Sequence, residues 1–584
     1  MSRDLIALVL AVITVACVGS ARAQYAPDGN AHPETKLVDE VEGDVTGIFG
    51  TPPARSAMSP GEKHAFAQQI DAGVLESLAV FHNGRVKTIG TLAEETVFSL
   101  TGKRRYDEPG KPGDNGAPEK LKYSPVFTLF DLVIDPAYYV DKPLLAADFL
   151  PARRAFVEMA FPEDAKARER WTKLGRLSPV MAVQLGGQVY TANESNIAFR
   201  ESIGRIDRRL GLYQNSINNF QMVAPGSVDD KWHHLGEWGS ETEIGQATRA
   251  LGSAWRSGDA AATNEAIAKL AALLPTVNAE LYPTGRLSIE TTYNKLHAFE
   301  WGLWLYGLAL VTLMLAFGTG RKWLIMLGIA TLTLAITMHG VGFVLRCIVA
   351  DRFAIQNQFE SMTGLSLFAA IVGGSLMLIR RQWLFGAATA GVGFLVLITA
   401  TQTGVPGRDI QSEAAILNTS VLLKYHVTTV LASYGLIALG FIVSLFYLGT
   451  HYLAKARGKQ GEALLAADAL GIADGEPAGV QRTLADLHKA QLSVLQLAFW
   501  TLGVGTLLGA WWADHSWGRW WAFDPKETWA LVTWIVYLIV IHVRFAGLKN
   551  PGLVTAWLSV IGFFIMLWTY FGVNLLLPGL HAYA

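Results

Sequence analysis

Eight long apolar runs fill the second half of the chain and decide what it can fold into. They lie roughly at residues 298–317, 323–345, 362–379, 383–402, 426–448, 492–511, 528–546 and 553–574. About 20 apolar residues cross a bilayer as an α-helix, in which every backbone group is hydrogen-bonded within its own segment. The sequence therefore predicts a polytopic α-helical membrane protein with about eight transmembrane helices in contact with membrane lipid.

The first half of the chain is much more polar. Together with the features of its N-terminus, this difference predicts three regions in the chain. A short apolar run after Arg3 ends in the small residues Ala21-Arg22-Ala23 before Gln24, as in a secretory signal peptide at residues 1–23. Residues 24–295 then form a mainly helical, soluble extracytoplasmic domain. Residues 296–584 form the membrane domain, with a cytoplasmic insert at 449–491 to which we assign no chemistry.

Composition excludes several classes of protein. The formal net charge of −1 gives no support for a nucleic-acid partner. The chain has only two cysteines, Cys17 and Cys347, which excludes a disulfide framework, a Cys-x-x-Cys redox pair and a thiolate metal site. It contains no CxxCH motif for covalent haem and no phosphate-binding loop for an ATP-driven pump.

Basic residues mark alternate loops and predict which side of the membrane each loop faces. They are Arg321-Lys322, Arg380-Arg381, Lys455 and its neighbours, and Arg544 with Lys549. Such residues are enriched on the cytoplasmic side. Loops 346–361, 403–425 and 512–527 are then external, together with the N-terminal domain and the C-terminal tail. The predicted location is the cytoplasmic (inner) membrane, with these loops on the periplasmic side.

The external loop 511–529 carries an unusual density of aromatic residues. It reads WWADHSWGRWWAFDPKETW and contains Trp511, Trp512, Trp517, Trp520, Trp521 and Trp529, with Phe523 beside Asp524, Lys526 and Glu527. Interfacial anchoring by tryptophan accounts for one or two of these residues. Six in so short a segment favour a flat, largely apolar ligand held at the membrane surface by stacking, with charged groups at its rim.

Three histidines are the leading candidates for axial ligands to a haem iron, for which neutral imidazole is a standard ligand. His426 lies at the external entrance of the fifth span and His581 just past the eighth, so both reach the face that carries the aromatic loop. His542 lies within the seventh span, near its cytoplasmic end. The alternative for each is a headgroup contact or a hydrogen bond to a neighbouring helix. His339, His297 and His515 are weaker candidates.

Several motifs occur together in the membrane half. Residues 517–529 read WGRWWAFDPKETW, 541–544 read IHVR, 571–574 read FGVN and 579–583 read GLHAY. Upstream, Leu345-Arg346 is followed by Asn357 and Phe359-Glu360-Ser361, and Tyr425-His426-Val427 by Ser433-Tyr434. With these motifs the chain resembles the CcsA (ResC) family of system II cytochrome c biogenesis proteins, which have a haem-handling WWD domain. Phe523 stands where the family has a tryptophan and Trp520 where it has a tyrosine.

The resemblance implies a function and a set of site residues. It implies that the protein moves haem b outward through the membrane, without a covalent bond to it, and presents it for attachment to CxxCH motifs of apocytochromes c. His426 and His581 would be the external axial ligands and His542 the ligand within the membrane. The aromatic loop would hold the porphyrin, and Arg519 or Lys526 would meet its propionates. The second intramembrane histidine of the family belongs to a ResB (CcsB)-like portion, absent here, so the resemblance implies a separate ResB-like partner.

Two other functions stay open at this point. One is a haem exporter that performs no ligation, and the other is a haem-bearing electron-transfer membrane subunit. A third function is haem ligation as part of a cytochrome c synthase. The apocytochrome would then supply the thiol, which agrees with the lack of cysteines suited to this reaction in this chain.

One phrase in the soluble half is locally specific. Phe81-His82-Asn83-Gly84-Arg85-Val86-Lys87 contains Asn-Gly, a strong turn signal between two β-prone pieces. The sequence predicts a hairpin there but gives it no function.

Overall fold

A computed structural model describes residues 47–112, 118–319, 321–380, 383–412, 420–465, 480–577 and 579. The predicted signal peptide and His581 lie outside the described residues. The chain divides into two compact units between Lys295 and Leu296.

The N-terminal unit is built mainly from helices. Its α-helices are α1 (Pro60–Ala67), α2 (Ala72–Glu76), α3 (Ile89–Thr101), α4 (Pro125–Ile134), α5 (Leu150–Ala160), α6 (Ala165–Leu174), α7 (Pro179–Ala192), α8 (Ile197–Gln214), α9 (Glu243–Ser257), α10 (Ala260–Val277) and α11 (Thr284–Leu296). Its strands are β1 (Ala79–His82), β2 (Arg85–Thr88), β3 (Asp107–Pro112), β4 (Pro118–Lys122), β5 (Leu145–Ala146), β6 (Arg176–Leu177), β7 (Gln221–Val223) and β8 (His233–His234). They pair as four separate two-stranded antiparallel sheets, β1–β2, β3–β4, β5–β6 and β7–β8.

The predicted hairpin is present as β1–β2, with His82 opposite Arg85. Asn83 and Gly84 form its turn with φ angles of 51° and 74°. A two-residue turn needs this left-handed conformation at both positions, which asparagine and glycine adopt most easily. The Nη2 of Arg85 bonds Glu290 Oε1 of α11 at 3.0 Å, which ties the hairpin to that helix.

An aromatic cluster forms part of the core of this unit. The rings of Phe127 and Trp255 stack at 4.9 Å, and Phe66 packs edge-on against both. The indole N–H of Trp255 donates to Asp131, whose carboxylate also accepts from the buried ammonium of Lys63. Pairing makes this buried charge tolerable, since an isolated carboxylate would be costly there.

Among the described residues, eight helical segments are long and apolar enough to cross a membrane, and this confirms the predicted fold class. The segments are Thr284–Ala316, Lys322–Ala350, Gln358–Arg380, Trp383–Gln402, Val421–Ala456, Thr483–Trp517, Pro525–Phe545 and Pro551–Gly572. We label the helices α12 (Ala298–Thr319), α13 (Lys322–Ala350), α14 (Gln358–Arg380), α15 (Trp383–Gln402), α16 (Val421–Leu465), α17 (Val480–Trp517), α18 (Pro525–His542), α19 (Pro551–Leu567) and α20 (Val573–Leu576).

Two helices extend further than the apolar runs alone indicate. The helix α17 continues through Trp511 and Trp512 to Trp517, so the first part of the aromatic loop is helical. The helix α16 is 45 residues long and carries the fifth span into the insert predicted at 449–491. Hydropathy misses such extensions because it measures apolarity, whereas a helix continues for as long as its backbone hydrogen bonds are satisfied.

Candidate functional site

The aromatic segment forms a short connection between two membrane helices. Gly518 ends α17 with a φ of 69°, and its N–H donates to the carbonyl of Asp514 at 2.8 Å. Glycine adopts this left-handed conformation without strain and commonly ends helices for that reason. Only residues 518–524 separate α17 from α18, so the connection is short.

The acidic residues of this segment start the helix α18. Asp524 is the N-cap and Pro525 the first helical residue, while Glu527 closes a capping box. The N–H of Lys526 donates to Asp524 Oδ1 at 3.0 Å, and the N–H of Ala522 donates to Glu527 Oε2 at 2.8 Å. The first turn of a helix leaves N–H groups without partners, and Asp524 accepts from this turn, while Glu527 accepts from the N–H groups of Ala522 and Asp524 just before it. Both predicted cofactor-binding carboxylates therefore have a structural role here.

A cavity of about 400 Å³ lies at this end of the unit. The start of α14, the segment before α16, the helices α16, α17 and α18, and the π-helical turn after α19 (Trp568–Gly572) all contribute to its wall. The lining includes Gln358, Lys424, His426, Tyr434, Thr506, Trp512, Trp521, Lys526, Glu527 and Tyr570. Its volume lies within the range of sites that hold small molecules and cofactors.

Two of the six predicted tryptophans line the cavity. Trp512 is only 2% exposed, and Trp517 packs edge-on against it with ring centroids 4.9 Å apart. Trp521 lines the cavity from the connecting segment. Trp511 and Trp520 are exposed, and Trp529 packs against Trp568, so none of these three is part of the lining.

Phe523 lies outside the lining in an unusual conformation. Its φ is 55°, and 76% of its side chain is exposed. A left-handed φ costs free energy for a bulky residue and persists only where the surroundings impose it. Here the capped helix start that follows fixes the backbone and leaves a large aromatic ring projecting beside the cavity.

His426 is held by the backbone of a neighbouring helix. Its Nδ1 lies 2.8 Å from the carbonyl oxygen of Gly505 on α17. A carbonyl only accepts, so Nδ1 carries the proton and Nε2 is the basic nitrogen. Metal-binding histidines are commonly oriented by such a bond from the other ring nitrogen. Gly509 makes room for the ring, since a Cβ there would lie 2.5 Å from His426 Cε1.

Two lysines line the cavity, although sequence reasoning found only one. Lys526 was predicted, whereas Lys424 was missed. The predicted alternative, Arg519, is exposed and is not part of the lining. Lys424 precedes His426 by two residues, a spacing that does not place two side chains on the same face of an isolated helix.

A buried ion pair organises the segments on one side of the cavity. Arg346 and Glu360 are fully buried and lie 3.1 Å apart, and Arg352 bonds the same carboxylate at 2.6 Å. Arg346 also donates to the carbonyls of Gly407 and Arg408 at 2.7 and 2.8 Å. The pair therefore joins the start of α14 to the segment before α16, and this explains why the sequence contains Leu345-Arg346 together with Glu360.

The other histidines lie in two different environments. His339 is completely buried, with Nδ1 3.3 Å from the Tyr306 hydroxyl and Nε2 3.0 Å from the Thr363 carbonyl. Both ring nitrogens of His339 thus form hydrogen bonds within the helix bundle. His542 is exposed at the end of α18, with Nδ1 2.7 Å from the Leu538 carbonyl, so its Nε2 is the basic atom. It lies about 22 Å along the helix from Glu527 at 1.5 Å per residue, far from the cavity.

Two further observations limit the chemistry of the site. Within the ranges given above, no group of three or more His, Cys, Asp or Glu could hold a bare metal ion. Gly579 approaches the start of α18, since a Cβ there would lie 2.5 Å from Asp524 Oδ2. His581 itself lies outside the described residues.

Comparison with known proteins covers the membrane half. Residues 296–581 match the family model described as cytochrome C assembly protein. The CcsA protein of Synechococcus sp. strain CC9311 is 32% identical over 307 residues, which are 48% of this chain and 96% of that protein. CcsA of Atropa belladonna is 30% identical, over 41% of this chain and 80% of its own length. NrfI of Wolinella succinogenes is 29% identical, over 42% of this chain but only 25% of NrfI.

Proposed function

Because this chain belongs to the CcsA family of cytochrome c biogenesis proteins, we propose that its membrane unit binds haem b beside His426 and presents it to apocytochromes c. The protein is a multi-pass membrane protein with a role in cytochrome c biogenesis. Haem is the transported substrate in this proposal, and the cavity faces the periplasmic side.

The position of His426 carries the proposal. Its imidazole is part of the wall of a cavity that also contains Trp512 and Trp521. The bond from Nδ1 to Gly505 fixes the tautomer in which Nε2 coordinates a metal. An oriented neutral imidazole beside large aromatic rings is a combination that suits an iron porphyrin.

Four residues of the lining then have defined tasks. Trp512 and Trp521 contact the apolar porphyrin faces, and the ammonium groups of Lys424 and Lys526 pair with the propionates. His581 supplies the second external axial ligand, supported by the approach of the chain to Asp524 at Gly579. Phe523 shields the exposed edge of the ligand.

Attachment needs no nucleophile from this chain. Each apocytochrome thiol adds across one haem vinyl group, so that its sulfur bonds one vinyl carbon and its proton goes to the other. No leaving group is released and no net oxidation occurs. The contribution of the protein is to hold the porphyrin in one orientation and to exclude competing reactions, which would make it one component of a cytochrome c synthase.

The exposed position of His542 supports a ResB-like membrane partner. A histidine at the surface of a membrane span is costly unless something binds it. Of the intramembrane candidates predicted from the sequence, His339 does not offer a second ligand, because both of its ring nitrogens are hydrogen-bonded inside the bundle. We therefore assign the second intramembrane haem ligand to the partner.

Co-expression tests the proposal and separates synthesis from export. The chain is produced with a ResB-like protein and a periplasmic reporter apocytochrome that has one CxxCH motif, and covalent haem is measured by haem staining of denatured gels. We expect labelled reporter only when both membrane proteins are present. A matched reporter with AxxAH must stay unlabelled. Free haem accumulating outside the cell with no labelled reporter would instead support an exporter.

A further inference from the structure

The N-terminal unit contains a second cavity, of about 500 Å³. The β1–β2 hairpin contributes Phe81, His82 and Asn83 to its wall, and α8 with the turn after it contributes most of the rest. This is the hairpin whose sequence is specific but which the proposed haem function does not use.

Three arginines of α8 give this cavity a positive charge. Arg205, Arg208 and Arg209 all belong to the lining, which contains no aspartate or glutamate. Residues three and four positions apart lie on one face of a helix, where like charges destabilise it. Such a cluster is unfavourable in the empty cavity and becomes favourable when an anion neutralises it.

The three arginines differ in their partners. Arg209 donates to the carbonyls of Ser99 and Ala146 at 3.0 and 2.6 Å and pairs with Asp148 at 3.1 Å, so its guanidinium is fixed in the wall. Arg205 and Arg208 have no hydrogen bond or ion pair with any residue that the structure describes. Their donor groups remain available to a ligand.

Neutral polar groups complete the wall. The Nζ of Lys87 lies 3.4 Å from His82 Nδ1, so the ammonium donates and the imidazole proton lies on Nε2. Burial, with the nearby charges of Lys87 and Arg85, lowers the pKa of His82 to about 3, which keeps the ring neutral at physiological pH. The side-chain amides of Asn218 and Asn219 provide further donors and acceptors.

We propose that this cavity binds a small organic anion through its carboxylate or phosphate groups, with Arg205 and Arg208 as the principal contacts. Guanidinium groups form paired, charge-assisted hydrogen bonds with both kinds of oxyanion. The volume is too large for a simple inorganic ion, and Phe81 and Leu212 provide an apolar wall for the rest of the molecule. The site is separate from the cavity beside His426 and does not depend on haem.

The test uses the full-length protein in detergent, at low ionic strength, with isothermal titration calorimetry. Citrate probes for a carboxylate ligand and glycerol 3-phosphate for a phosphate ligand, with glycerol as the uncharged control. We expect saturable binding of at least one anion with one site per chain, and none of glycerol. The double variant Arg205→Gln/Arg208→Gln should weaken that binding at least tenfold, whereas the matched variant Arg170→Gln, at an exposed position of α6, should bind as the wild type does.

Two further variants make the result decisive. If the double variant does not fold, Arg208→Glu places the reversed charge at an exposed position and should abolish binding. His426→Ala should bind the anion normally, so this site and the haem site can fail independently. Absence of saturable binding by both anions, or undiminished binding by the arginine variants, would overturn the proposal.

Discussion

Gly509→Ala should move the His426 imidazole without harming the helix that carries the substitution. A Cβ at this position would lie 2.5 Å from Cε1, 2.8 Å from Nδ1 and 3.1 Å from Nε2 of the ring. The first contact is about 0.9 Å short of the 3.4 Å at which ordinary van der Waals contact begins. The ring must therefore move away from α17 or turn.

The substitution should leave the stability of the protein nearly unchanged and weaken its binding of haem. Alanine favours a helix interior over glycine by about 1 kcal/mol, which offsets the loss of one hydrogen bond to Gly505, also worth about 1 kcal/mol. The overall stability should thus change little. The displaced Nε2 no longer coordinates iron at its preferred distance, and we expect haem affinity to fall at least tenfold, equivalent to about 1.4 kcal/mol.

The assay is haem content per purified chain, measured by the pyridine haemochrome spectrum, together with the thermal unfolding midpoint. Gly449→Ala on α16 is the matched control, because a Cβ there meets nothing within 4 Å. It should keep the haem content of the wild type, and its unfolding midpoint should stay the same or rise slightly, because alanine favours the helix.

A Gly509→Ala protein with normal haem content and an unchanged spectrum would refute the reasoning, since the ring cannot accommodate the new methyl group and stay in place. Equal haem loss in both glycine variants would also refute it. The effect would then come from the helices in general and not from His426.

Three other outcomes follow from the structure. In the co-expressed system, His542→Ala should remove the intramembrane haem signal and leave the fold intact. His339→Ala should instead lower thermal stability, because it removes two buried hydrogen bonds. The reverse pattern would mean that His339, and not His542, is the intramembrane haem ligand. Cysteines at Ser516 and Ala456, both exposed, should react with impermeant reagents from opposite sides of the membrane, and labelling from one side would overturn the topology. The pKa of His82 is about 3 in the folded protein against an ordinary 6.5, so the unfolded chain binds the proton first and the stability of the fold decreases as the pH drops from 6.5 to 3. Hydrogen exchange of residues 79–101 should become faster over this pH range, and His82→Gln should reduce this pH dependence.

Much of the membrane architecture could be predicted from the sequence. Apolar runs of about 20 residues leave few alternatives in a bilayer, and all eight predicted spans are present. The ends were less predictable, as the continuation of α17 to Trp517 illustrates. The tryptophan content of a segment does not show from the sequence whether the segment is helical or a loop.

The site was only partly predictable, because a residue type does not reveal its partner. Asp524 and Glu527 looked like ligands beside an aromatic platform, yet together they form the capping box at the start of α18. Aspartate, proline and glutamate in this order are also typical of the start of a helix, so the same residues fit a structural role as well as ligand binding. Lys424 was missed because its place in the cavity depends on packing between α16 and its neighbours.

The role of His426 also required the structure. The sequence predicted that His426 lies near the aromatic segment, and the two share a cavity, but it could not give the tautomer, which the carbonyl of Gly505 determines. Two of the three glycines of α17, Gly505 and Gly509, had no assigned role in the sequence. They allow the helix to approach α16 closely, since a Cβ at Gly505 would lie 2.8 Å from Val430 Cγ2.

Low-temperature electron paramagnetic resonance of the purified ferric protein reports the axial ligands of the haem iron and so tests whether His426 coordinates it. We predict a low-spin signal from two axial histidines in the wild type, which His426→Ala and His581→Ala should each convert to a high-spin signal and which added imidazole should restore. The folded fraction of His339→Ala should keep the low-spin signal. An unchanged low-spin signal in His426→Ala would contradict the account.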